Sequence, residues 1–310
     1  MASHPRMTAT EWALLVLLSL LWGGSFFFAK IAVAALPPLT VVLARVWLAA
    51  LALALVLRWR GTAWPRDGAV WRAFVGMGLL NNLIPFALLF WGQTVLSSGL
   101  ASVLNAMTPV FSLLVAHVLT ADETLAVHKI VGIGLGIAGV VVLVGVEAVS
   151  QANPAFLPIL ACLGAALSYG LASVFGRRFK RLGIDPVVGA FGQVAATSLM
   201  VAPLVLAFAP PWRSAMPDAS TWAALIGLAL LSTALAYVLF FRLLATAGAV
   251  NTSLVTLLIP VSAILLGALV LGERMSGPQA GGMVLIGAGL IAIDGRIGAW
   301  LRAGLRRSGA

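Results

Sequence analysis

Charged residues are scarce in this sequence: of 310 residues, 9% are Asp, Glu, Lys or Arg, whereas 62% are hydrophobic. A soluble globular protein carries about 25% charged residues to cover its surface. The shortage excludes an ordinary soluble enzyme, a disordered chain and a nucleic-acid-binding domain, and it indicates an integral membrane protein. The single cysteine excludes a disulfide framework, and the three histidines are too scattered for a metal motif. We therefore expect no metal site, no cofactor and no catalytic residue.

Long apolar segments occupy most of the chain. A membrane-spanning helix needs about 20 mostly apolar residues. The sequence contains ten such segments, at about 11–33, 38–58, 72–92, 97–120, 128–147, 156–177, 186–208, 221–242, 249–271 and 277–296. The first continues past Lys30 without a cleavage signature, so it is not interpreted as a signal peptide. The prediction is an all-α integral membrane protein of ten transmembrane helices, with short loops and no soluble catalytic domain.

Basic residues are unevenly divided between the two sets of loops. The side with the two termini and the loops after helices 2, 4, 6 and 8 holds 15 of them, the other side holds 3, including Lys30, and Arg45 lies within helix 2. Because basic loops stay in the cytoplasm, we expect both termini there, in the inner (plasma) membrane, with 299–310 as a basic cytoplasmic tail. The net charge of +10 is then a topology signal and a contact with lipid headgroups, and no nucleic-acid partner is needed.

The second half of the chain repeats the first. Residues 79–90, LLNNLIPFALLF, align without a gap on residues 230–241, LLSTALAYVLFF, at a shift of 151. The same shift places Ser102, Asn105 and Pro109 on Ser253, Thr256 and Pro260. The predicted halves, 11–147 and 156–298, hold five helices each. Because five is odd, the second half is inverted in the membrane. Inverted repeats around a midplane site are a recurring architecture of secondary transporters.

Several motifs resemble one known family. They are LWGGSF at 21–26, SVLNAMTP at 102–109 before Asp122-Glu123, and TSLVTLLIP at 252–260 before Gly272-Glu273-Arg274. These resemble the paired signatures of EamA-type proteins in the drug/metabolite transporter superfamily. The resemblance implies a ten-helix bundle whose central cavity is lined mainly by helices 1, 3, 4, 6, 8 and 9, with helices 5 and 10 peripheral. It also implies export of amino acids and other small metabolites. The aromatic-rich spans look most similar to exporters of aromatic and non-polar amino acids.

Polar and small residues mark the predicted cavity. Helices 4 and 9 each carry a stripe of them on one face, and an asparagine in a span needs partners that lipid does not offer. Helix packing is the alternative interpretation of such stripes. The prolines either free a carbonyl for substrate or only kink the helix. The predicted substrate-cavity residues are Trp22, Asn81, Asn82, Phe86, Ser102, Asn105, Pro109, Tyr169, Tyr237, Ser253, Thr256 and Pro260.

Charges inside the spans are few. The nine acidic residues fall at helix ends or in loops. Because proton-coupled carriers typically hold a midplane carboxylate or histidine, we expect a facilitative carrier. Lys30 and Arg45 are the basic residues within the outer half of spans, where either could attract a substrate carboxylate. We favour the alternative, in which both snorkel to the outer headgroups.

The sequence lacks an ATP-binding loop, and its one G-x-G-x-x-G match, Gly134–Gly139, lies inside predicted helix 5, where close helix packing explains it. The prediction is a non-enzymatic exporter of small metabolites, favouring aromatic and other non-polar amino acids. It would work by alternating access of the two halves. The alternatives are an exporter of another metabolite or drug, or a pseudosymmetric channel. The expected partners are a small-molecule substrate and the bilayer.

Overall fold

The computed structural model describes residues 7–62, 64–120, 126–144, 153–210 and 215–294. Within these ranges the chain forms ten long helices and no strand. They are α1 (Ala9–Ala35), α2 (Pro38–Trp59), α3 (Gly68–Gln93), α4 (Ser98–Leu119), α5 (Val127–Val144), α6 (Phe156–Arg181), α7 (Pro186–Phe208), α8 (Ala219–Gly248), α9 (Val255–Leu271) and α10 (Gly277–Asp294). Nine of them have the length and apolarity needed to cross a membrane. The predicted tail, 299–310, lies outside the described residues.

Helix boundaries follow from capping residues in the sequence. Thr8 and Glu11 form a reciprocal capping box at the start of α1. The carboxylates of Asp185 and Asp218 accept hydrogen bonds from backbone N–H groups in the first turns of α7 and α8. Proline begins α2 and α7, where its missing N–H has no helical partner to lose. These signals place the observed ends close to the predicted ones.

The start of α9 differs from the prediction. The span was expected from residue 249, but α9 begins at Val255 and has 17 residues. Gly248 adopts φ +80°, which ends the regular part of α8. A short turn at Ser253–Leu254 then precedes α9. Periodicity did not show this interruption, because the predicted polar stripe of helix 9 ran through Ser253 as if the helix were continuous.

The contacts between helices show that the two halves interlock. α1 packs against α9, and α6 packs against α4. α2 packs against α8, and α7 against α3, while α2–α7, α4–α9 and α5–α10 are also neighbours. Exchanging every helix for the one five places along the chain turns α1–α9 into α6–α4 and α2–α8 into α7–α3, and it leaves the other three pairs unchanged. The repeat seen in the sequence is therefore also a repeat of packing, with most contacts made across the halves.

Two glycines set equivalent crossings in the two halves. A Cβ on Gly23 of α1 would lie 2.5 Å from the Cβ of Ser262 on α9. A Cβ on Gly170 of α6 would lie 2.9 Å from the backbone carbon of Phe111 on α4. The repeat shift of 151 places Phe111 on Ser262. Both crossings therefore need glycine because the partner's backbone or Cβ occupies the space.

The pair α5–α10 lies at the edge of the bundle, and both helices are mostly exposed. Glycine contacts hold the pair together, because a Cβ on Gly132 would lie 2.6 Å from the carbonyl oxygen of Gly289. A Cβ on Gly139 would similarly lie 2.8 Å from the carbonyl oxygen of Gly282. The G-x-G-x-x-G match in α5 is thus part of a helix-packing surface, as expected.

Both halves contain a π-helical stretch at the same place in the repeat. It covers Leu79–Leu83 in α3 and Gly227–Leu235 in α8. Such wider turns disturb the regular hydrogen bonds and often occur at functional sites. The Ser168 hydroxyl donates to the carbonyl of Leu80 at 2.7 Å, and the Thr233 hydroxyl donates to the carbonyl of Leu228 at 2.8 Å. Side chains thus satisfy carbonyls within both stretches.

Candidate functional site

A cavity of about 370 Å³ lies between the two halves. Its wall comes from α1, α2, α3 and α4 of the first half and from α6, α7, α8 and α9 of the second. α5 and α10 contribute nothing to it. The cavity therefore has the location that an inverted-repeat transporter uses for its substrate.

Nine of the twelve residues that the sequence indicated lie in the cavity wall. They are Trp22, Asn81, Phe86, Ser102, Asn105, Tyr169, Tyr237, Thr256 and Pro260. Trp22 and Tyr169 each directly precede the crossing glycine of their helix. These two rings therefore occupy equivalent places in the two halves.

The other three predicted residues lie outside the wall. Asn82 is fully buried behind it, where it contacts Gln193 and Tyr237. Pro109 follows the interruption of α4, and Ser253 lies in the exposed turn before α9. A helical stripe drawn through each proline assumed an unbroken helix, and both helices are interrupted within that stripe.

The interruption of α4 explains the fate of the carbonyl that Pro109 frees. The helix has two segments, Ser98–Asn105 and Thr108–Leu119. The carbonyl of Asn105 accepts a hydrogen bond from the Thr108 hydroxyl at 2.7 Å. This carbonyl is therefore bonded within the protein, while the Asn105 side chain lies in the cavity wall.

The prediction that Arg45 snorkels to the headgroups is wrong. Its side chain is 5% exposed and lies in the cavity wall. The exposed face of α2 is marked by Trp47, Leu51 and Leu55. Two residues in a helix are about 200° apart around its axis, so Arg45 is directed away from the lipid face that Trp47 marks. That spacing was a signal in the sequence, which depth alone did not reveal.

Neutral partners hold the Arg45 guanidinium in place. Its Nε donates to the hydroxyl of Thr233 at 2.9 Å, and its Nη1 donates to the hydroxyl of Ser25 at 3.0 Å. Its central carbon lies 3.8 Å from the centre of the Phe86 ring and 5.8 Å from that of Phe90. A ring face attracts a cation at this distance. The guanidinium is thus fixed by α1, α3 and α8, and no described carboxylate contacts it.

Three buried polar atoms in the wall have no hydrogen-bond partner within the described residues. They are Oε1 of Gln93, Oδ1 of Asn105 and Oγ of Ser232. The Nε2 of Gln93 donates to the carbonyl of Phe26 at 2.8 Å, which fixes the orientation of that amide. A buried polar group without a partner is destabilising and calls for an explanation. A ligand that donates hydrogen bonds would satisfy these atoms.

A second polar group in the wall is already satisfied. The Oε1 of Gln193 accepts from the side-chain amides of Asn81 and Asn82, at 2.8 and 3.3 Å. The hydroxyl of Tyr237 donates to the Oδ1 of Asn82 at 3.2 Å. Sequence reasoning did not consider Gln193. It lies among small and apolar residues of α7, where one polar side chain in a buried span is itself an indication of a partner.

Aromatic rings supply much of the remaining surface. Phe86 and Phe90 are nearly parallel, with their centroids 6.0 Å apart. Trp22 contacts Phe240 at 5.4 Å, and Tyr237 contacts a neighbouring phenylalanine of the same helix. The wall therefore combines flat apolar faces with a few polar atoms and one cation, and no acidic side chain lines it in the described part of the chain.

Polar contacts join helix ends on one side of the membrane. We call this the opposite side, where α1 ends and α2 begins, and the other the terminal side. The Glu273 carboxylate accepts from the backbone N–H and the hydroxyl of Ser98 at 2.8 and 2.6 Å, so it caps α4. Lys30 donates to the carbonyls of Gln93 and Leu96, both at 2.8 Å. Lys30 thus joins α1 to the end of α3 instead of reaching the headgroups.

The described residues hold no group of three or more His, Cys, Asp or Glu side chains that could bind a metal. Cys162, the one cysteine, is fully buried. The cavity therefore offers hydrogen bonds, stacking and one positive charge, which suits reversible binding of a small molecule.

Comparison with known proteins agrees with this geometry. The model of the EamA-like transporter family matches residues 10–145 and again residues 156–293. A probable amino-acid metabolite efflux pump of Escherichia coli (strain K12) is 26% identical over 291 residues, which cover 92% of this chain and 94% of that protein. The uncharacterised inner membrane transporter YedA of the same strain is 30% identical over 267 residues, covering 84% of this chain and 82% of that protein.

Two further similarities extend over most of the chain. The uncharacterised transporter YoaV of Bacillus subtilis (strain 168) is 27% identical over 277 residues, covering 89% of this chain and 94% of that protein. One protein crystal structure shares the fold with a TM-score of 0.65 at 23% identity, covering 92% of this chain and 96% of the other. With two matches to the family model, ten helices and a cavity between the halves, the chain belongs to the EamA-like transporter family and is a multi-pass membrane transporter, not an enzyme.

Proposed function

We propose that this protein exports small metabolites, and that aromatic and other non-polar amino acids are its substrates. The observation that carries the proposal is the cavity between the halves, whose wall combines aromatic rings with uncharged polar groups. Its volume of about 370 Å³ falls within the range of small-molecule sites. The relative named as an amino-acid metabolite efflux pump supports the class of substrate.

The proposed mechanism is alternating access. The Glu273 carboxylate of the second half contacts Ser98 of the first half on the opposite side. Rocking of the two halves would break this contact and open the cavity to the opposite side. The proposal includes facilitative transport, because none of the described acidic residues lines the cavity.

The proposed location is the inner membrane with both termini in the cytoplasm. The uneven distribution of basic residues supports this orientation. Because native Cys162 is buried, single cysteines at Val95 and Thr62 give a clean test with a membrane-impermeant maleimide on intact cells. Labelling at V95C and protection at T62C agree with the proposal. The reverse pattern contradicts the orientation.

Transport is tested with the purified protein in liposomes and a panel of labelled amino acids. We expect tryptophan, phenylalanine and methionine to enter faster than aspartate and lysine, with protein-free liposomes as the control. Equal rates for the five would contradict the proposed specificity. Uptake that stops when the proton gradient is removed, at a constant substrate gradient, would contradict facilitative transport.

A further inference from the structure

Arg45 is the one feature of the cavity that the proposed function leaves without a role. Its guanidinium is buried within the helix bundle, where the dielectric constant is low. Its described partners are two hydroxyls and two aromatic rings. Burying an unpaired charge is unfavourable, and ionisable groups inside membranes are rarely without a functional reason. Nη2 has no acceptor among the described residues, so the guanidinium still has donors to offer.

The position of Arg45 places those donors where a ligand would lie. Arg45, Phe86 and Asn105 are each seven residues from the opposite-side end of their helices, which corresponds to a depth of about 10 Å at 1.5 Å per residue. All three lie in the cavity wall. Arg45 therefore lies beside the aromatic surface at the level of the unpartnered Asn105 amide oxygen.

A second, independent observation concerns the nearby acceptors. Phe86, Phe90 and Gln93 follow the i, i+4, i+7 spacing of one face of α3, and the first two are the rings beneath Arg45. Gln93 is 1% exposed, and its Oε1 has no partner in the described part of the protein. Among the described residues, the wall thus presents a cation without a carboxylate partner and, toward the opposite-side end of α3, a further amide oxygen without a donor.

We infer that Arg45 binds the carboxylate of the transported molecule, and that the amide oxygen of Asn105, at the same depth, accepts a hydrogen bond from its ammonium group. This inference rests on the proposed function and adds the ligand chemistry: a zwitterionic amino acid whose side chain packs on the aromatic surface. A guanidinium binds a carboxylate through charge-assisted hydrogen bonds, which are stronger than neutral ones. An amine without a carboxylate would meet an unpaired cation and bind poorly.

Three related compounds separate these contributions in the unmodified protein. They are phenylalanine, phenethylamine, which lacks the carboxylate, and 3-phenylpropionate, which lacks the ammonium. Binding to the purified full chain in nanodiscs is measured by calorimetry. We expect phenylalanine to bind about 10- to 100-fold more tightly than phenethylamine, the range expected for a hydrogen bond to a charged group. Equal binding of phenylalanine and phenethylamine would overturn the inference without any variant.

The variant R45Q tests the residue itself, since glutamine is tolerated at the corresponding place in α7. We expect its phenylalanine binding to weaken about 10- to 100-fold, with binding of phenethylamine unchanged or improved. R45K keeps the charge without the planar fork and should recover part of the preference. The matched control is R58Q, the same substitution at an exposed position of the same helix, which should behave as the unmodified protein. A preference for carboxylates that survives in R45Q would overturn the inference.

The variant N105L tests the contact with the ammonium group. N105L is similar in volume and removes the amide, so it should weaken phenylalanine about 2- to 10-fold while leaving 3-phenylpropionate unchanged. Equal weakening of both compounds would overturn the assignment of Asn105. Binding of 3-phenylpropionate through Arg45 without any amino-acid transport would support the carboxylate anchor and contradict the proposed function. Amino-acid transport without dependence on Arg45 would do the reverse.

Discussion

Helices α2 and α7 come from equivalent places in the two halves, yet they present different chemistry to the cavity. Each begins with proline, and the eighth residue of each is polar: Arg45 in α2 and Gln193 in α7. Each of these side chains bonds to the π-helical stretch of the other half, Arg45 to Thr233 and Gln193 to Asn82. The repeat shift of 151 places Asn82 on Thr233. Duplication has therefore preserved the contact while its chemistry has diverged.

Arg45 and Gln193 differ in the hydrogen-bonding groups that they leave free for a ligand. The Gln193 oxygen is occupied by two asparagine amides, so that side of the wall is a closed network. Arg45 keeps donors that no described residue uses. Two equivalent positions of a symmetric fold thus carry different groups, one cationic and one neutral. A zwitterion requires such a difference, because its two charged ends bind unlike groups.

Placing a second cation at the α7 position should be the most damaging change. Q193R removes the acceptor of Asn81 and Asn82, because arginine has none. The buried Asn82 amide then loses its acceptor, and the added guanidinium is a buried charge without a carboxylate among the described residues, so we predict a loss of about 3–5 kcal/mol in unfolding free energy, measured by thermal unfolding in detergent. Q193L removes the acceptor without adding a charge and should lose less. A Q193R protein as stable as the unmodified one would show that the two positions are interchangeable.

The glycine crossings should respond alike in the two halves. G23A and G170A each place a methyl group against the crossing helix, at 2.5 and 2.9 Å from its nearest atom. Overpacking of this kind costs about 1–3 kcal/mol, seen as a lower melting temperature. G134A is the control, since a Cβ there meets nothing within 4 Å. A loss confined to one half would mean that the packing is less symmetric than the contacts indicate.

Weakening the contact between Glu273 and Ser98 on the opposite side should have the smallest effect. E273Q weakens the cap on α4 by removing its charge. Loss of an N-terminal cap costs about 0.5–2 kcal/mol, so labelling of S102C from the opposite side should accelerate about 2- to 10-fold. The control is E11Q, the same change in the capping box of α1 on the terminal side. An unchanged labelling rate would mean that this cap does not hold the cavity closed.

The fold was largely predictable because apolar segments indicate membrane spans and aligned residues reveal the repeat. Apolar length gave the helices, and the odd number of helices per half gave the inversion. The start of α9 was predicted wrongly because the turn at Ser253–Leu254 falls inside the segment that was expected to be one helix. Composition and periodicity give no sign of that turn when Ser253 is counted as part of a helical stripe.

The cavity wall was predictable where polarity within a span is conspicuous, as at Asn81, Asn105 and Tyr237. Arg45 was missed because its depth in the span was considered without its direction around the helix. Gln193 was missed because a single amide forms no stripe. In both cases the partner lies in the other half, at a sequence separation of more than 100 residues, and only the packing of the halves shows it.

Counterflow in liposomes tests whether the protein is a carrier whose cavity binds the carboxylate of its substrate. Vesicles containing the protein are loaded with unlabelled phenylalanine, and entry of labelled phenylalanine is followed with phenethylamine or 3-phenylpropionate as competitor outside. The account predicts that internal phenylalanine accelerates entry, that 3-phenylpropionate competes more strongly than phenethylamine, and that R45Q loses this order. Entry without acceleration would indicate a channel, and an order of competitors that is equal or reversed in the unmodified protein would contradict a carboxylate-binding cavity.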